Sequence, residues 1–179
     1  MGLYKAEAIN IKSFNLGEAD KLVTLFTRQF GKVRAVAKGA RRMRSKFGGR
    51  LELFVHNQAL LVEGKELDQL SQVETIDAFY PLRESLDTLA AASYFVWLVD
   101  KATEEKQVNQ PLFELLLGGL RQLTEDEDLA KVRRGFQHGF LAAEGILPQL
   151  GEDLTDSAFQ EHFGDYASLK RNLGEFEHA

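Results

Sequence analysis

The chain has 179 residues, a mass of 20.1 kDa and a formal net charge of −5. Its 44% hydrophobic and 27% charged residues are typical of folded proteins and exclude wholesale disorder. The absence of cysteine excludes disulfides, thiolate zinc sites and cysteine nucleophiles. Because there is no apolar run of about 18 residues, and no basic-then-apolar order at residues 1–10, we expect a cytoplasmic protein with no membrane partner.

The net charge is divided unevenly along the chain. Residues 1–50 hold 12 basic and 3 acidic side chains, a net charge of +9, whereas residues 51–179 hold 10 and 24, a net charge of −14. Opposite fields suggest different partners, a polyanion for the first part and an apolar or basic surface for the second. The alternative is that the two sets of charges pair within the protein.

Residues 1–80 have the pattern of strands joined by glycine-containing turns. The predicted strands are LYKAEAINIKSF from residue 3, KLVTLFT from 21, GKVRAVAKGA from 31, LELFVHNQALLVEG from 51 and ELDQLSQVETIDAF from 66. In the third strand, Val33, Ala35 and Ala37 alternate with Lys32, Arg34, Val36 and Lys38, which predicts an apolar face and a basic one. About five such strands fit a small closed barrel better than an open sheet. We therefore predict an OB-fold barrel domain over residues 1–80.

The pattern changes to a helical one at Pro81, since proline is favourable in a first helical turn. Apolar spacings of three and four predict helices over residues 81–105, from Pro111 to 125, and from about Glu127 to Gly145. A short helix is also predicted at 165–173. Residues 81–179 are thus expected to form an all-α helical domain, and the fold class is α+β.

The segment KGARRMRSKFGG, residues 38–49, holds five cations in twelve positions without a carboxylate. Its glycines predict a loop between strands, and OB-folds bind nucleic acid with a basic groove and aromatic stacking platforms. The predicted nucleic-acid-binding residues are Lys32, Arg34, Lys38, Arg41, Arg42, Arg44, Lys46, Phe47 and Arg50. Phe47 would stack on bases, as would Phe14 or Tyr4. The alternatives are solvated surface for the cations and core positions for the aromatic residues.

Residues 17–54, GEADKLVTLFTRQFGKVRAVAKGARRMRSKFGGRLELF, resemble the N-terminal domain of RecO, the bacterial recombination mediator. The positions that carry the resemblance are Gly17, Glu18, Asp20, Thr27, Gly31, Ala37, Lys38, Gly39, Ala40, Arg41, Arg42, Ser45, Gly49 and Leu51. A weaker resemblance continues to about residue 150, through Tyr94, a leucine-rich second helix and FLAAEGILPQL. Many RecO proteins carry a four-cysteine zinc site after that helix. This chain, without cysteine, resembles the zinc-less members.

The resemblance implies a non-enzymatic, nucleoid-associated DNA-binding protein of recombinational repair that needs no cofactor. RecO proteins bind single- and double-stranded DNA, anneal complementary strands, associate with RecR and with the single-stranded DNA-binding protein SSB, and help load RecA. The SSB tail is acidic with apolar residues, so its receptor needs an apolar groove rimmed by cations. The predicted rim on the third helix is Lys131, Arg133 and Arg134, beside Leu129, Val132 and Phe136. The alternative is a solvated helix face paired with Glu127 and Asp128.

The sequence offers little for catalysis or metal binding. It has no GxxxxGK[ST] motif and no pair of histidines spaced for one helix face, so no catalytic or metal-binding residues are predicted. Glu18 and Asp20 are two positions apart, and we expect them to order a turn or pair with arginines. A different reading of the whole chain is a generic OB-fold nucleic-acid-binding module with a helical dimerisation domain. Binding to RecR would distinguish the two.

Overall fold

The computed structural model describes residues 2–145, and the helix predicted at 165–173 lies outside them. Five strands come first: β1 (Leu3–Leu16), β2 (Asp20–Thr27), β3 (Gly31–Ala37), β4 (His56–Val62) and β5 (Asp68–Asp77). Three helices follow: α1 (Leu86–Ala102), α2 (Gln110–Glu125) and α3 (Leu129–Ala143). Short 3₁₀ turns occupy Gly48–Leu51 and Tyr80–Arg83. The predicted α+β class is confirmed.

The five strands form a closed barrel in the order β1-β2-β3-β5-β4. All neighbours are antiparallel except β3 and β5, which pair in parallel. The first part of β1 pairs with β4 and the later part with β2, with an irregularity in the β1–β2 ladder between Asn10 and Lys12. Because one long strand joins both sides, the sheet closes without a free edge. This topology confirms the predicted OB-fold.

The barrel interior is lined largely by small side chains. The alternation predicted for β3 is confirmed, since Val33, Ala35 and Ala37 are buried in the core. Phe47 and Leu51, from the connection between β3 and β4, join the same core, and each is 1% exposed. Alanines leave interior volume that larger side chains must fill for a close-packed core. Phe47 and Leu51 supply that volume.

The chain separates into two compact units that divide within one residue of the boundary expected at residue 80, except that residues 100–113 return to the barrel unit. Among the described residues, the first unit comprises the chain up to Phe79 together with Asp100–Phe113, and the second comprises Tyr80–Val99 together with residues 114–145. The backbone explains why 100–113 belong with the barrel. The N–H of Lys106 donates to the carbonyl of Lys32 at 2.9 Å. Phe113 also packs against Phe26, with ring centroids 6.0 Å apart.

In the second unit, α1 begins five residues later than predicted. Pro81 lies in the 3₁₀ turn, and the hydroxyl of Ser85 caps α1 by accepting the N–H of Thr88 at 3.1 Å. The rings of Phe95 and Phe136 stack with centroids 3.7 Å apart at 8°, next to Gly119. Within residues 2–145, no helix combines the length and apolar character needed to cross a membrane.

Candidate nucleic-acid interface

The cation-rich segment folds as a loop between β3 and β4, as predicted, and we call residues 38–50 the basic loop. Its start is fastened to the β1–β2 turn. Gly39 has φ +70° and donates its N–H to Asp20 Oδ1 at 2.7 Å. Arg41 donates its N–H to the carbonyl of Ala19 at 2.9 Å and Nη1 to the carbonyl of Gly17 at 2.6 Å. Asp20 therefore orders this turn, which was one of the roles expected for it.

The end of the basic loop is fastened to the barrel by buried groups. Asn10 Nδ2 donates to the carbonyls of Arg50 at 2.8 Å and Glu52 at 2.9 Å, and Asn57 Nδ2 also donates to Arg50 at 2.8 Å. Phe47 lies in the core, so its predicted stacking role is wrong: a ring that is 1% exposed offers no face to a base. Its position instead anchors the loop, and Lys46 Nζ stands 5.3 Å from the ring centroid.

Between these anchors the loop holds its cations in solvent. All six are exposed, and within residues 2–145 no carboxylate lies within ion-pair distance of any of them: Lys38, Arg41, Arg42, Arg44, Lys46 and Arg50. Met43, among them, is fully exposed. Cations that have no carboxylate partner and are held on an anchored loop can contact a polyanion without first breaking ion pairs. The basic loop is therefore the candidate anion-binding surface of the described part of the chain.

The two basic residues predicted on β3 differ from the cations of the basic loop, because each is paired with a carboxylate. Lys32 is nearly buried, and its Nζ lies 3.2 Å from Asp100 Oδ1 and 2.9 Å from the Asp100 carbonyl oxygen. Arg34 Nε pairs with Glu105. The basic face predicted for β3 is therefore partly neutralised, because Asp100 and Glu105 of the 100–113 segment pair with its two cations.

Asp100 is shared by two lysines, since Lys12 Nζ also approaches Asp100 Oδ2 at 2.6 Å. Burial alone would raise the pKa of Asp100. The ammonium groups of Lys12 and Lys32 outweigh that effect and hold the pKa below its usual value. Asp100 is thus ionised at neutral pH and neutralises part of the charge of the barrel.

An exposed apolar strip lies on the outer face of β1, β2 and β3. The ladders pair Phe14 with Leu22 and Leu22 with Val36, so these three side chains share one face. Phe14 is 56% exposed, and Leu22 and Val36 are partly exposed. Of the two stacking candidates proposed besides Phe47, Phe14 is the one placed on this face. Val36, in the same row, is two residues before Lys38, where the basic loop begins.

Tyr4, the remaining stacking candidate, is engaged elsewhere. Its ring packs edge-on against Phe30 with centroids 4.7 Å apart, and its hydroxyl donates to Asp68. Burial and this hydrogen bond raise the pKa of Tyr4. The ring is therefore half-buried within the barrel unit. Its contacts with Phe30 and Asp68 do not fit the base-stacking role expected for it.

The three cations predicted to rim a groove on α3 do not form one rim. Val132 and Phe136 are 4% and 2% exposed, so they line the interior of the helical unit and offer no apolar groove. Lys131 and Arg134 are exposed and share a helix face, with Lys131 Nζ 3.5 Å from Asp126 Oδ2. Arg133 is half-buried on another face. The Lys131 ammonium pairs with Asp126, whereas Asp128, one of the two acids named as the alternative, caps α3 by accepting the Lys131 N–H at 3.0 Å.

Sequence reasoning missed the acidic partners Asp100 and Glu105. They lie about 70 residues beyond Lys32 and Arg34, in a stretch whose local pattern is that of a helix end. No periodicity signals such a contact. The one available indication was general: the excess of acid after residue 50, which left internal pairing open as an alternative.

Comparison with known proteins gives a consistent match in both parts of the chain. The family model described as "Recombination protein O N terminal" matches residues 1–79, and that described as "Recombination protein O C terminal" matches residues 83–162. Together they span most of the chain.

Curated relatives agree with the family models. The chain is 41% identical over 158 residues to the DNA repair protein RecO of Trichodesmium erythraeum, covering 83% of this chain and 54% of the relative. It is 43% identical over 150 residues to RecO of a Cyanothece species, covering 82% and 51%. For RecO of Symbiobacterium thermophilum the identity is 42% over 151 residues, covering 84% and 60%. The aligned chain thus spans about half of the length of these relatives.

Proposed function

The chain belongs to the RecO family, and on that premise we propose that its barrel unit binds DNA through the phosphate backbone, independently of sequence. The observation that carries the proposal is the set of six exposed cations on the basic loop, none of which has a carboxylate partner in residues 2–145. The role is that of a DNA-binding mediator of recombinational repair in the cytoplasm, at the nucleoid.

The binding energy comes mainly from counterion release. Each phosphate that a lysine or arginine neutralises releases a condensed counterion, so affinity falls as salt rises. If about five loop cations contact single-stranded DNA, the slope of log affinity against log salt is about −3.5, from about −0.7 per phosphate. For duplex DNA the slope per phosphate is about −0.9. Because phosphates are present in both forms of DNA, we expect the loop to bind both, with the steeper slope for the duplex.

The apolar strip adds a contact that only unpaired bases can use. Phe14 is exposed on the outer face of the barrel, beside Leu22 and Val36. Stacking of a base on an aromatic ring contributes about 1–3 kcal/mol in single-stranded DNA complexes. Single-stranded DNA can therefore use both the loop and the strip.

The test is fluorescence anisotropy of a labelled oligonucleotide across a salt series. In the loop variant, Arg41, Arg42, Arg44 and Lys46 are all changed to Gln. The matched control removes four exposed cations elsewhere, by changing Lys5, Lys65, Lys101 and Arg121 to Gln. We expect the salt slope to flatten by about 2.8 in the loop variant, from four contacts at about 0.7 each, and to change little in the control. Equal losses in both variants would contradict a localised interface, and no binding by the wild-type protein at low salt would end the proposal.

Strand annealing is part of the proposal, because one cationic surface can screen two phosphate backbones at once. The loop variant should therefore lose annealing of complementary oligonucleotides along with binding. Annealing at the wild-type rate by the loop variant would refute this step.

We propose RecR and the acidic tail of SSB as protein partners, through which RecA is loaded onto SSB-coated DNA. RecR binding separates this function from a generic OB-fold module, which has no reason to bind RecR. For the SSB tail, Lys131 and Arg134 on one exposed face of α3 supply only the cationic part of a receptor, because Val132 and Phe136 are buried and offer no apolar groove beside them. Changing both to Glu should weaken binding of an SSB-tail peptide, and unchanged binding would remove this face from consideration.

We also propose that the protein acts by binding and not by catalysis. Incubation with magnesium and either DNA or a nucleoside triphosphate should give no hydrolysis above the blank. Hydrolysis that copurifies with the protein and disappears in a point variant would refute this.

A further inference from the structure

A second row of side chains runs beside the apolar strip on the outer face of the barrel. The ladders pair Lys12 with Thr24 and Thr24 with Arg34, one step along the strands from Phe14, Leu22 and Val36. Lys12 and Arg34 have side chains that are 43% and 45% exposed. Along β3 the outward positions continue from Arg34 through Val36 towards Lys38, where the basic loop begins. Arg34 is thus in line with the proposed phosphate contacts.

The ion pairs on this face differ in how firmly they are held. Lys32 and Asp100 are only 13% and 12% exposed, and the Lys32 ammonium also binds a main-chain carbonyl. Arg34 and Glu105 are 45% and 43% exposed. Water screens an exposed ion pair, so its net stabilisation is small and another anion can replace the carboxylate. The Arg34–Glu105 pair is therefore the exchangeable one.

The backbone near Glu105 is fixed independently of its side chain. Lys32 and Glu105 form a parallel β-bridge, and the N–H of Lys106 donates to the Lys32 carbonyl at 2.9 Å. The Glu105 carboxylate can leave Arg34 by side-chain rotation without displacement of the chain. A carboxylate and a phosphate present similar paired oxygens to a guanidinium, so one can stand in for the other.

We propose that Arg34 is a phosphate-binding residue and that the Glu105 carboxylate occupies its phosphate position in the free protein. This inference rests on the proposed DNA-binding function and adds that Glu105 competes with a DNA phosphate for Arg34. A DNA strand that follows the basic loop must displace Glu105 to reach Arg34. Glu105 therefore weakens DNA binding, and its removal strengthens it.

The test compares Glu105→Gln with Glu104→Gln by anisotropy with single-stranded DNA at constant salt. Both substitutions remove one negative charge from adjacent exposed positions, but only Glu105 pairs with Arg34 within residues 2–145. We expect Glu105→Gln to bind about two- to fivefold more tightly than Glu104→Gln, the range that corresponds to an exposed ion pair. In an Arg34→Gln background the advantage of Glu105→Gln should disappear, because the pair and the phosphate contact are both absent. Circular dichroism confirms that each variant is folded.

The outcomes distinguish failure of the Arg34 inference from failure of the proposed DNA-binding function. If the wild-type protein binds DNA and loses binding in the loop variant, but Glu105→Gln and Glu104→Gln bind equally, the Arg34 inference is overturned alone. An advantage of Glu105→Gln that persists in the Arg34→Gln background also overturns it. If the wild-type protein does not bind DNA at all, the proposed function fails and this inference fails with it.

Discussion

Gly31 marks the point where the 100–113 segment comes closest to the barrel. Its φ is +67°, and a Cβ built there would lie 2.1 Å from the carbonyl oxygen and 2.4 Å from the carbonyl carbon of Gln107. An ordinary van der Waals contact begins at about 3.4 Å. In a Gly31→Ala variant the Gln107 carbonyl must therefore retreat by about 1.3 Å, the difference between 3.4 and 2.1 Å. A retreat of that size pulls against the hydrogen bond from Lys106 N to Lys32 O, which is 2.9 Å long.

Two effects add in the Gly31→Ala variant. A residue with a Cβ in the left-handed region costs about 1–2 kcal/mol. Forcing an extra methyl group into a filled site costs about 1–3 kcal/mol more. The free energy of unfolding of the barrel unit should therefore fall by about 2–5 kcal/mol, from these two terms. Gly17→Ala is the matched control, because Gly17 has φ +60° and nothing within 4 Å of a built Cβ. Gly17→Ala should therefore lower the free energy of unfolding only by the cost of a Cβ in the left-handed region, about 1–2 kcal/mol.

The assay is urea unfolding followed by the amide signals of the barrel in heteronuclear NMR spectra, which report that unit separately from the helices. The difference between the two variants measures the contact with Gln107. If Gly31→Ala and Gly17→Ala agree within about 0.5 kcal/mol, a difference within the usual error of additivity, the close approach of the 100–113 segment is refuted.

Three further predictions concern the helical unit, the buried ion pairs and the stacking strip. In the helical unit, Gly119→Ala places a Cβ 2.8 Å from Phe136 and 3.0 Å from Phe95 and should lower the free energy of unfolding by about 1–3 kcal/mol. In Gly118→Ala the added Cβ meets nothing within 4 Å, so this substitution should raise the free energy of unfolding by up to about 1 kcal/mol. Thermal melts followed by circular dichroism test both variants. Asp100→Asn should cost about 3 kcal/mol at pH 7, because it leaves the largely buried Lys32 without its carboxylate. Because the folded state lowers the pKa of Asp100, the ion-pair stability is present above the unfolded value near about 3.9 and is lost as pH falls through the folded value. Urea midpoints of wild type and Asp100→Asn should therefore converge in acid, and a constant difference down to pH 2 would contradict this assignment. Phe14→Ala should weaken single-stranded DNA binding by about 1–3 kcal/mol while stability changes by less than about 0.5 kcal/mol. Phe47→Ala should instead lower stability by about 3–5 kcal/mol, and an unfolding midpoint unaffected by Phe47→Ala would contradict its place in the core.

The barrel could be predicted because its signals are local. The alternation of β3 over Val33, Ala35 and Ala37 has the period of two that a half-buried strand requires. The glycines that bound the basic loop were equally readable, and Gly39 does adopt a positive φ. The start of α1 was less well predicted, since the cap at Ser85 is decided by one hydroxyl and Pro81 led to a predicted start five residues too early.

Phe47 shows why the site was harder to predict than the fold. Its immediate neighbours are cations and glycines, which describe a solvated loop. What draws Phe47 inward is the small volume of the alanines on strands that are distant in sequence. The same limitation applies to α3, where Val132 and Phe136 have the spacing of an apolar stripe. Such a stripe most often packs against other helices of the same unit, and here both residues are buried inside that unit.

The distribution of charge in the folded barrel differs from what the net +9 of residues 1–50 suggests. Of the 12 cations in that stretch, five have carboxylate partners within residues 2–145: Lys12, Lys21, Arg28, Lys32 and Arg34. All five belong to the strands or to the end of β2. Six of the other seven lie on the basic loop. Internal pairing and polyanion binding were alternatives for the sequence. The structure shows pairing on the strands, and the cations without carboxylate partners in residues 2–145 are concentrated on one anchored loop. On the proposed function, a field concentrated in this way attracts a phosphate backbone to a defined path, and the comparison of Glu105→Gln with Glu104→Gln decides whether that path extends from the loop onto β3.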